Sequence, residues 1–250
     1  MIQITKAQVK LVRSLQQKKY RDETGLFVAE GDKCINELRN AFQLEIMVTE
    51  ENATRSEIEQ MSSLRTPQGS IAVFKKRQDN GTIDQQEGQN LTLVLDDIQD
   101  PGNLGTIIRT ADWFGIHDIF CSKNTADCYN PKVVQATMGS LARVRMHYTD
   151  LQDWLKKQDT PIFGTLLEGE NMYSYFSKMK ENQEGFQQLT KGKSIIIMGN
   201  EGNGISTPIR KMITHPLRIP SYPSDADTAE SLNVSIATAI ILSEFRRLAR

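Results

Sequence analysis

Two continuous apolar runs, "LTLVLDDI" at 91–98 and "SIIIMG" at 194–199, constrain the fold of this chain more than any other feature. Neither run alternates apolar with polar residues, which indicates strands buried on both faces, as in a parallel sheet covered by helices. Around them lie the helical patterns "NLGTIIRTADWFG", "PKVVQATMGSLARV" and "NVSIATAIILSEFRRLA" and the strand patterns "IHDIFCS" and "PIFGTLLEG". Residues 91–250 are therefore predicted to form a doubly wound α/β domain.

The first 77 residues predict a second, smaller α/β domain. "ITKAQVKLVRSLQQKKYRDETG" carries Val9, Val12 and Leu15 at helical spacing and predicts one long helix. The strand patterns "GLFVAEG", "LEIMVTEE" and "GSIAVFKKR" alternate with the helical patterns "GDKCINELRNAF" and "RSEIEQMSSL". Residues 78–90 are polar and almost free of large apolar side chains, which indicates a linker. The predicted organisation is a domain at 1–77, a linker at 78–90 and a domain at 91–250.

Composition and cysteine usage favour a globular cytoplasmic protein. Hydrophobic residues make up 38% of the 250 positions and charged residues 24%, which suits a chain with a sizeable core. No apolar run approaches the roughly 20 residues of a membrane helix, and the N-terminal stretch does not look like a secretory signal. Cys34, Cys121 and Cys128 show no CxxC spacing and cannot all pair, which indicates free thiols in a reducing compartment.

The charge distribution is uneven although the net charge is only −1. The first 21 residues contain no acid but six basic side chains, at Lys6, Lys10, Arg13, Lys18, Lys19 and Arg21. Smaller basic clusters follow at Lys75, Lys76 and Arg77, at Arg143 and Arg145, and at Arg246, Arg247 and Arg250. Two interpretations stay open: solvated helix faces, or a footprint for phosphate groups.

Three segments of the second domain run from a strand through a turn into a helix, the arrangement that forms ligand sites in open parallel sheets. In the first, Asp100, Pro101 and Gly102 form a sharp turn and Asn103 is expected to cap the helix. Arg109 lies six residues further on, on a nearby face, and its guanidinium suits a phosphate or a developing oxyanion. On spacing alone, Asn103 as a plain cap and Arg109 as a plain ion-pair partner remain alternatives.

The second segment contains Gly199, Gly202 and Gly204 with the spacing GxxGxG. This is the reverse of the dinucleotide fingerprint GxGxxG, and no Gly-Lys-Ser/Thr ends it as in a P-loop. A phosphate cradle is therefore a weak interpretation, and Glu201 in the middle of the segment would repel phosphate. In the third segment, "SLN" at 231–233 leads into an apolar helix, where Asn233 is either a helix cap or a site residue.

Taken together, the three segments resemble the SpoU (TrmH) family of RNA ribose 2′-O-methyltransferases within the SPOUT superfamily. The family's first motif is matched by Asn103, Gly105 and "RTA" at 109–111, the second by "GNEGNG" at 199–204, and the third by "IP" at 219–220 with "SLNVS" at 231–235. The first 77 residues, through "GLFVAEGDKCINEL" and "TPQGSIAVF", also resemble the family's ribosomal-protein-like RNA substrate-binding domain. The resemblance thus spans nearly the whole chain and favours ribosomal RNA as substrate, with transfer RNA as an alternative.

This resemblance implies a trefoil-knotted catalytic domain, a rare exception to the rule against knots, that binds S-adenosyl-L-methionine. The implied cofactor-binding residues are Thr165, Leu166, Gly199, Ile219 and Leu232. It also implies a homodimer through the C-terminal helix, with active sites drawn from both subunits. The chain departs from the family at "SYPSDADTAE", 221–230, which is longer than in many relatives and makes the contacts near Ile219 less certain than the motif.

The implied reaction is methyl transfer to a ribose hydroxyl. Arg109 is the implied catalytic residue, and because arginine keeps its proton, it is expected to stabilise the nascent oxyanion or to hold the neighbouring phosphate. Asn103, Glu201 and Asn233 are expected to orient Arg109 and the ribose, without a metal. Two competing hypotheses remain. The four polar residues argue against an RNA-binding protein without catalysis, and the glycine spacing argues against a nucleotide-dependent oxidoreductase.

Overall fold

The computed structural model describes residues 3–77, 91–182, 187, 193–223 and 229–249. The predicted linker 78–90 and part of the lengthened loop, 224–228, lie outside the described residues. The chain forms two compact units: the first comprises Met1–Ile83, Leu104–Arg109 and Asp127–Arg143, and the second Asp84–Asn103, Thr110–Ala126 and Val144–Arg250. In the described ranges, no helix has both the length and the apolar character needed to cross a membrane.

The first unit is built on a three-stranded antiparallel sheet in the order β1-β3-β2. Its elements from the N-terminal region are α1 (Lys6–Ser14), α2 (Lys18–Thr24), β1 (Leu26–Glu30), α3 (Asp32–Leu38), β2 (Leu44–Val48), α4 (Arg55–Met61) and β3 (Ile71–Lys75). Thr5 and Thr54 begin α1 and α4 with capping boxes, in which the threonine and the residue three positions later exchange hydrogen bonds. The alternating α and β elements confirm the predicted small α/β fold.

One helix of the first unit differs from the sequence prediction. The single helix expected from Ile4 to Gly25 is broken between Ser14 and Lys18. Arg21 explains the break: its guanidinium is buried and donates to the carbonyls of Leu15 and Gln16 at 2.8 and 2.9 Å. The same guanidinium pairs with Asp127 at 2.7 Å. Arg21 therefore satisfies backbone carbonyls that the interrupted helix leaves free.

The second unit contains a six-stranded sheet in the order β6-β5-β4-β8-β7-β9, in which all the pairs are parallel. Its strands are β4 (Leu91–Asp96), β5 (Asp118–Ser122), β6 (Arg145–Thr149), β7 (Ile162–Asn171), β8 (Ser194–Gly199) and β9 (His215–Arg218). The helices of this part of the chain are α5 (Pro101–Trp113), α6 (Pro131–Thr137), α7 (Leu151–Leu155), α8 (Met172–Glu181), α9 (Thr207–Arg210) and α10 (Val234–Leu248); α6 belongs to the first unit. The parallel sheet confirms the predicted fold class.

The order of the strands determines where a ligand site can form. From β4 the chain proceeds outward to β5 and β6, whereas β8, β7 and β9 lie on the other side of β4. The topological switch point is thus between β4 and β8, and ligands of such sheets bind beyond the carboxyl ends of the strands at this point. The segments that follow β4 and β8 are those that carry Asn103 and the "GNEGNG" glycines.

A charged cluster lies at the start of β5 and β6. Asp118 is buried and accepts two hydrogen bonds from Arg145, both at 2.8 Å, and is 2.7 Å from Nε2 of His147. Burial alone would raise the pKa of Asp118, but the hydrogen bonds with His147 and Arg145 outweigh it and hold the pKa below its ordinary value. The cluster anchors the edge strand β6, which the sequence patterns did not predict.

Candidate active site

The loop after β8 explains the spacing of the glycines. Asn200 and Gly204 exchange two backbone hydrogen bonds, at 3.0 and 2.9 Å, and Oδ1 of Asn200 accepts from the N–H groups of Gly202 and Asn203. A Cβ on Gly199 would lie 2.4 Å from the backbone of Gly204, which itself has φ +66°. These backbone N–H groups close the loop on itself, so they are unavailable to cradle a phosphate.

The loop is fastened to the end of β4 by two acidic residues that the sequence analysis did not single out. The buried Asp96 carboxylate accepts from the N–H of Ser206 at 2.8 Å, and the carbonyl of Asp97 accepts from Nδ2 of Asn200 at 2.8 Å. Asp97 has φ 63°, an uncommon conformation for a non-glycine residue. The sequence signal for this anchor was the pair of aspartates directly after an apolar strand.

The start of α5 corrects the predicted role of Asn103. The helix begins two residues earlier than expected, at Pro101, and its N-cap is Asp100, whose Oδ1 accepts from the N–H of Asn103 at 2.8 Å. Asn103 was predicted to be the cap, and this was wrong, because proline suits the first helical position and aspartate the residue before it. The side-chain amide of Asn103 is therefore available for other contacts.

Asn233, Asn103 and Glu201 form one hydrogen-bonded chain. Nδ2 of Asn233 donates to Oδ1 of Asn103 at 2.9 Å, and Nδ2 of Asn103 donates to Oε1 of Glu201 at 2.5 Å. Asn233 is also the N-cap of α10, because its Oδ1 accepts from the N–H groups of Ser235 and Ile236. Asn233 therefore caps the helix, and its side-chain amide also contacts a second predicted site residue. The structure brings together three predicted site residues that are up to 130 positions apart in the sequence.

The chain of amides ends on an exposed carboxylate that can take part in binding. Among the described residues, Glu201 makes its hydrogen bond through Oε1 alone, so Oε2 can accept a hydrogen bond from a substrate hydroxyl. The side-chain amides of Asn233 and Asn103 both donate in the direction of the Glu201 carboxylate. Their dipoles are therefore aligned, and this favours one orientation of the Asn103 amide. This arrangement can orient a hydroxyl group beside the switch point of the sheet.

Arg109 lies on the same helix as Asn103 but outside this hydrogen-bonded chain. It is six residues further on, about 9 Å along the helix axis, and its side chain is exposed. Within the described ranges no acid pairs with it, so the alternative of a plain ion-pair residue is not supported. Arg109 presents an uncompensated guanidinium to solvent.

The predicted cofactor residues lie within β7 where its pairing with β8 ends, at the carboxyl ends of β8 and β9, and just before α10. The β7–β8 pairing ends at Gly164 and Ile197, so Thr165 and Leu166 lie just beyond it, whereas Gly199 still pairs with β4. Ile219 follows directly after β9.

Leu232 immediately precedes the cap of α10, and its side chain is 49% exposed. A bulge in β7 between Thr165 and Glu170 also leaves the side chain of Leu167 67% exposed. Apolar side chains beside strand-end backbone suit the adenosyl group of a nucleoside-like cofactor. The described residues contain no group of three His, Cys, Asp or Glu that could hold a metal ion.

Comparison with known proteins assigns the fold and these motifs to a family. Residues 90–243 match the model of the SpoU rRNA methylase family, and residues 6–77 match the MRM3-like substrate-binding domain. The chain belongs to the SpoU rRNA methylase family. The predicted membership of an RNA methyltransferase family, with an added substrate-binding domain, is confirmed.

Several relatives of this SpoU protein match along nearly their whole length. The 23S rRNA (guanosine(2553)-2′-O)-methyltransferase RlmP of Bacillus subtilis is 29% identical, with 95% of each chain covered. A TrmH-family protein from Porphyromonas gingivalis is 33% identical, with a TM-score of 0.81 over 98% of each chain. The AdoMet-bound rRNA methyltransferase from Sinorhizobium meliloti is 30% identical, with a TM-score of 0.80 over 99% of this chain and 97% of the other.

Proposed function

We propose that this SpoU-family protein transfers the methyl group of S-adenosyl-L-methionine to a ribose 2′-hydroxyl of ribosomal RNA. The observation that carries the proposal is the Asn233–Asn103–Glu201 chain, which ends in an available carboxylate oxygen beside the topological switch point. The relative from Bacillus subtilis acts on a guanosine of 23S rRNA. A guanosine ribose in the large-subunit RNA is therefore the first substrate to test.

The cofactor residues act mainly through backbone and apolar contacts in this proposal. The cofactor contacts come from Thr165 and Leu166 in β7, from Gly199 and Ile219 at the ends of β8 and β9, and from Leu232 just before α10. The bound cofactor supplies an electrophilic methyl group on a sulfonium. The protein's task is to hold this cofactor in line with the ribose oxygen and to exclude competing geometries.

The polar residues divide the remaining work. Glu201 accepts a hydrogen bond from a ribose hydroxyl, and Asn103 and Asn233 are positioning residues that hold the carboxylate. Arg109 carries a permanent positive charge and stabilises the alkoxide that develops as the 2′-hydroxyl passes its proton to the Glu201 carboxylate or to water, or holds the adjacent phosphate. Either contact strengthens as negative charge develops, so it lowers the barrier rather than only tightening binding.

The protein acts as a homodimer through its C-terminal helix, and each active site draws on both subunits. Trp113 is 85% exposed and Ile236 is 52% exposed, an unusual display of large apolar side chains in one unit. A groove lined by Trp113 and Phe114 together with Ser243, Arg246 and Arg247 of α10 supports a contact there that combines apolar and polar side chains. Arg109, which has no acidic partner in the described chain, then serves the site of the neighbouring subunit.

A trefoil knot is part of the same proposal. Two close passages of the chain support it: the β8–α9 loop is bound to the end of β4, and the start of α10 returns to Asn103 at the start of α5. Residues 91–250 form the knotted methyltransferase domain, residues 1–77 bind the RNA substrate, and residues 78–90 connect them. This division extends the two family matches.

The reaction takes place in the cytoplasm in this proposal, where ribosomal RNA and reduced thiols occur together. Cys34, Cys121 and Cys128 are buried, and none of the three forms a disulfide bond. Burial raises the pKa of the Cys34 thiol to about 11, which keeps it protonated and unreactive.

The experiment that tests the function maps 2′-O-methyl groups in ribosomal RNA from cells with and without the protein. We expect one position to lose its methyl group, and the purified protein to restore it with S-adenosyl-L-methionine. Arg109→Ala should lower kcat about 100-fold or more while cofactor affinity by calorimetry stays unchanged. An unchanged methylation map, or full activity in Arg109→Ala, would contradict the proposal or the role of Arg109, respectively.

Sharing of the site between subunits has its own test. A heterodimer of one Arg109→Ala chain and one Glu201→Ala chain contains one intact site if Arg109 acts across the interface, and none if it acts within its own chain. We therefore expect the heterodimer to regain up to half of the wild-type activity, whereas either homodimer stays inactive. An inactive heterodimer would show that each site is built within one chain.

A further inference from the structure

Ion pairing neutralises most of the basic clusters that the sequence displays. Outside the first two helices, five of these cations pair with acids: Lys75 with Glu45, Lys76 with Asp22, Arg143 with Glu37, Arg145 with Asp118, and Arg247 with Glu244. Arg246 donates instead to the carbonyls of Phe114 and Gly115. These side chains stabilise the protein itself and are poor candidates for contacting RNA phosphates.

Within the first two helices the structure makes a further selection. Arg21 is buried, and Lys18 and Lys19 pair with Asp22 and Glu23 on their own helix. The cations that remain are Lys6, Lys10 and Arg13, all exposed and without an acidic partner in the part of the chain that the structure describes.

The three remaining cations form a row. They lie at positions i, i+4 and i+7 of α1, a spacing that places them on one face of the helix. Val9 and Val12 are buried, so α1 packs on the first unit with its other face. The row is about 10 Å long and points every charge toward solvent.

The row leads into a polar groove within the first unit. The groove is lined by side chains of α1, α2, the residues between them and the end of α4: Lys10, Arg13, Ser14, Gln16, Gln17, Tyr20, Gln60 and Ser62. Among the residues that the structure describes, no acidic side chain lines it. Tyr20 is 36% exposed, and Nζ of Lys19 lies 5.9 Å from the centre of its ring. Cations, side-chain amides and an exposed aromatic ring thus occur together in one concave surface.

We propose that this α1 row and groove bind a single-stranded segment of the RNA substrate. Lys6, Lys10 and Arg13 contact successive phosphates, and one nucleobase enters the groove and stacks on Tyr20, where Gln17 or Gln60 can hydrogen-bond its edge. Proteins generally bind single-stranded nucleic acid with cations that follow its phosphate backbone and with aromatic side chains that stack on its bases. In a duplex the faces of the bases are covered by their stacked neighbours, so an aromatic side chain cannot reach them. The proposal rests on the proposed function, since it identifies where the substrate RNA is held.

The first test removes two of the cations. Lys10→Gln/Arg13→Gln is compared with Lys33→Gln/Arg39→Gln, which removes the same two charges from the exposed side of α3 and from its C-terminal end. Binding of a labelled single-stranded ribosomal RNA fragment is measured by fluorescence anisotropy at several salt concentrations. We expect at least about fivefold weaker binding for the first pair and a salt slope smaller by about 1.4, two phosphate contacts at about 0.7 each. Equal losses for both pairs would overturn the proposal.

The second test separates stacking from charge. Tyr20→Leu removes the aromatic face and should weaken single-strand binding about fivefold or more, whereas Tyr20→Phe should bind like the wild type. The salt slope should stay unchanged in both variants because no charge is altered. Binding by Tyr20→Leu that equals the wild type, or a loss seen with duplex RNA and not with single-stranded RNA, would overturn the stacking site.

Methylation assays distinguish failure of this proposal from failure of the proposed function. In Lys10→Gln/Arg13→Gln we expect KM for the RNA to rise while kcat and cofactor affinity stay unchanged, since α1 is not part of the active site. If the wild type methylates RNA and this variant has the same KM, the RNA-binding surface is wrong but the function stands. If the wild type binds the single strand through this surface but transfers no methyl group, the function is wrong and the surface stands.

Discussion

Asn233 allows a structural role and a functional role to be separated by mutation. Its Oδ1 accepts from the backbone of Ser235 and Ile236 and caps α10, while its Nδ2 donates to Asn103. A serine at this position retains a capping acceptor but has no amide to reach Asn103. Asn233→Ser therefore removes only the contact within the site, whereas Asn233→Ala removes both contacts.

The magnitudes follow from these hydrogen bonds. Asn233→Ser should stay within about 0.5 kcal/mol of the wild-type free energy of unfolding, and Asn233→Ala should lose about 1 kcal/mol, because serine caps nearly as well as asparagine and alanine does not. The bond to Asn103 is worth about 1 kcal/mol net. When it orients Asn103 and Glu201 in the transition state, its loss lowers kcat/KM about fivefold. Both variants should show this kinetic loss.

The assays are urea unfolding and transfer of labelled methyl groups to a ribosomal RNA fragment. Asn171 offers a matched control, because it caps α8 in the same way, with its Oδ1 accepting from the N–H groups of Tyr173 and Ser174. Asn171→Ser and Asn171→Ala should change stability as the Asn233 variants do and leave kcat/KM unaltered. Wild-type kcat/KM in Asn233→Ser would refute the reasoning, since the cap would then be the whole role of Asn233.

Three further predictions follow from the second unit. Gly199→Ala places a Cβ 2.4 Å from the backbone of Gly204, so it should weaken cofactor binding at least about tenfold and lower the free energy of unfolding by about 2 kcal/mol. The control is Gly202→Ala, whose Cβ would lie 3.5 Å from its nearest neighbour and should change neither quantity. Calorimetry measures the cofactor affinity and thermal unfolding measures the stability of both variants. Because the pKa of Asp118 is lowered, its stabilisation is present above the ordinary carboxyl range and is lost as the pH falls through the folded-state pKa. Asp118→Asn should therefore lower the free energy of unfolding by about 2 kcal/mol at pH 7 and by much less at pH 3. Arg145 is partly exposed, which keeps this loss below that of a fully buried ion pair. An equal loss of stability at both pH values would contradict this prediction. Trp113→Arg should shift the protein from dimer to monomer in sedimentation, and an unchanged mass would place the interface elsewhere.

Local sequence patterns were sufficient for the four inner strands of the parallel sheet and for the family motifs. The apolar runs of β4 and β8 predicted buried parallel strands because neither face of these strands meets water. The edge strands β6 and β9 were not predicted, since an edge strand is partly exposed and lacks that continuous apolar signal. The break before Lys18 was also missed, because it depends on Arg21 reaching carbonyls and Asp127, more than 100 positions away, which no local pattern encodes.

The sequence by itself determined the fold class and the family, and it predicted the polar site residues, because strand burial and motif spacing are local properties of the chain. Only the tertiary structure decided which contacts those residues make. The glycines of "GNEGNG" close a loop with their own backbone groups, Asp100 rather than Asn103 caps α5, and Asn233, Asn103 and Glu201 meet although the chain separates them widely. It also decided which of the N-terminal cations have no acidic partner among the described residues, because an ion pair depends on which acid the fold brings within reach. Folding left Lys6, Lys10 and Arg13 exposed on one face of α1.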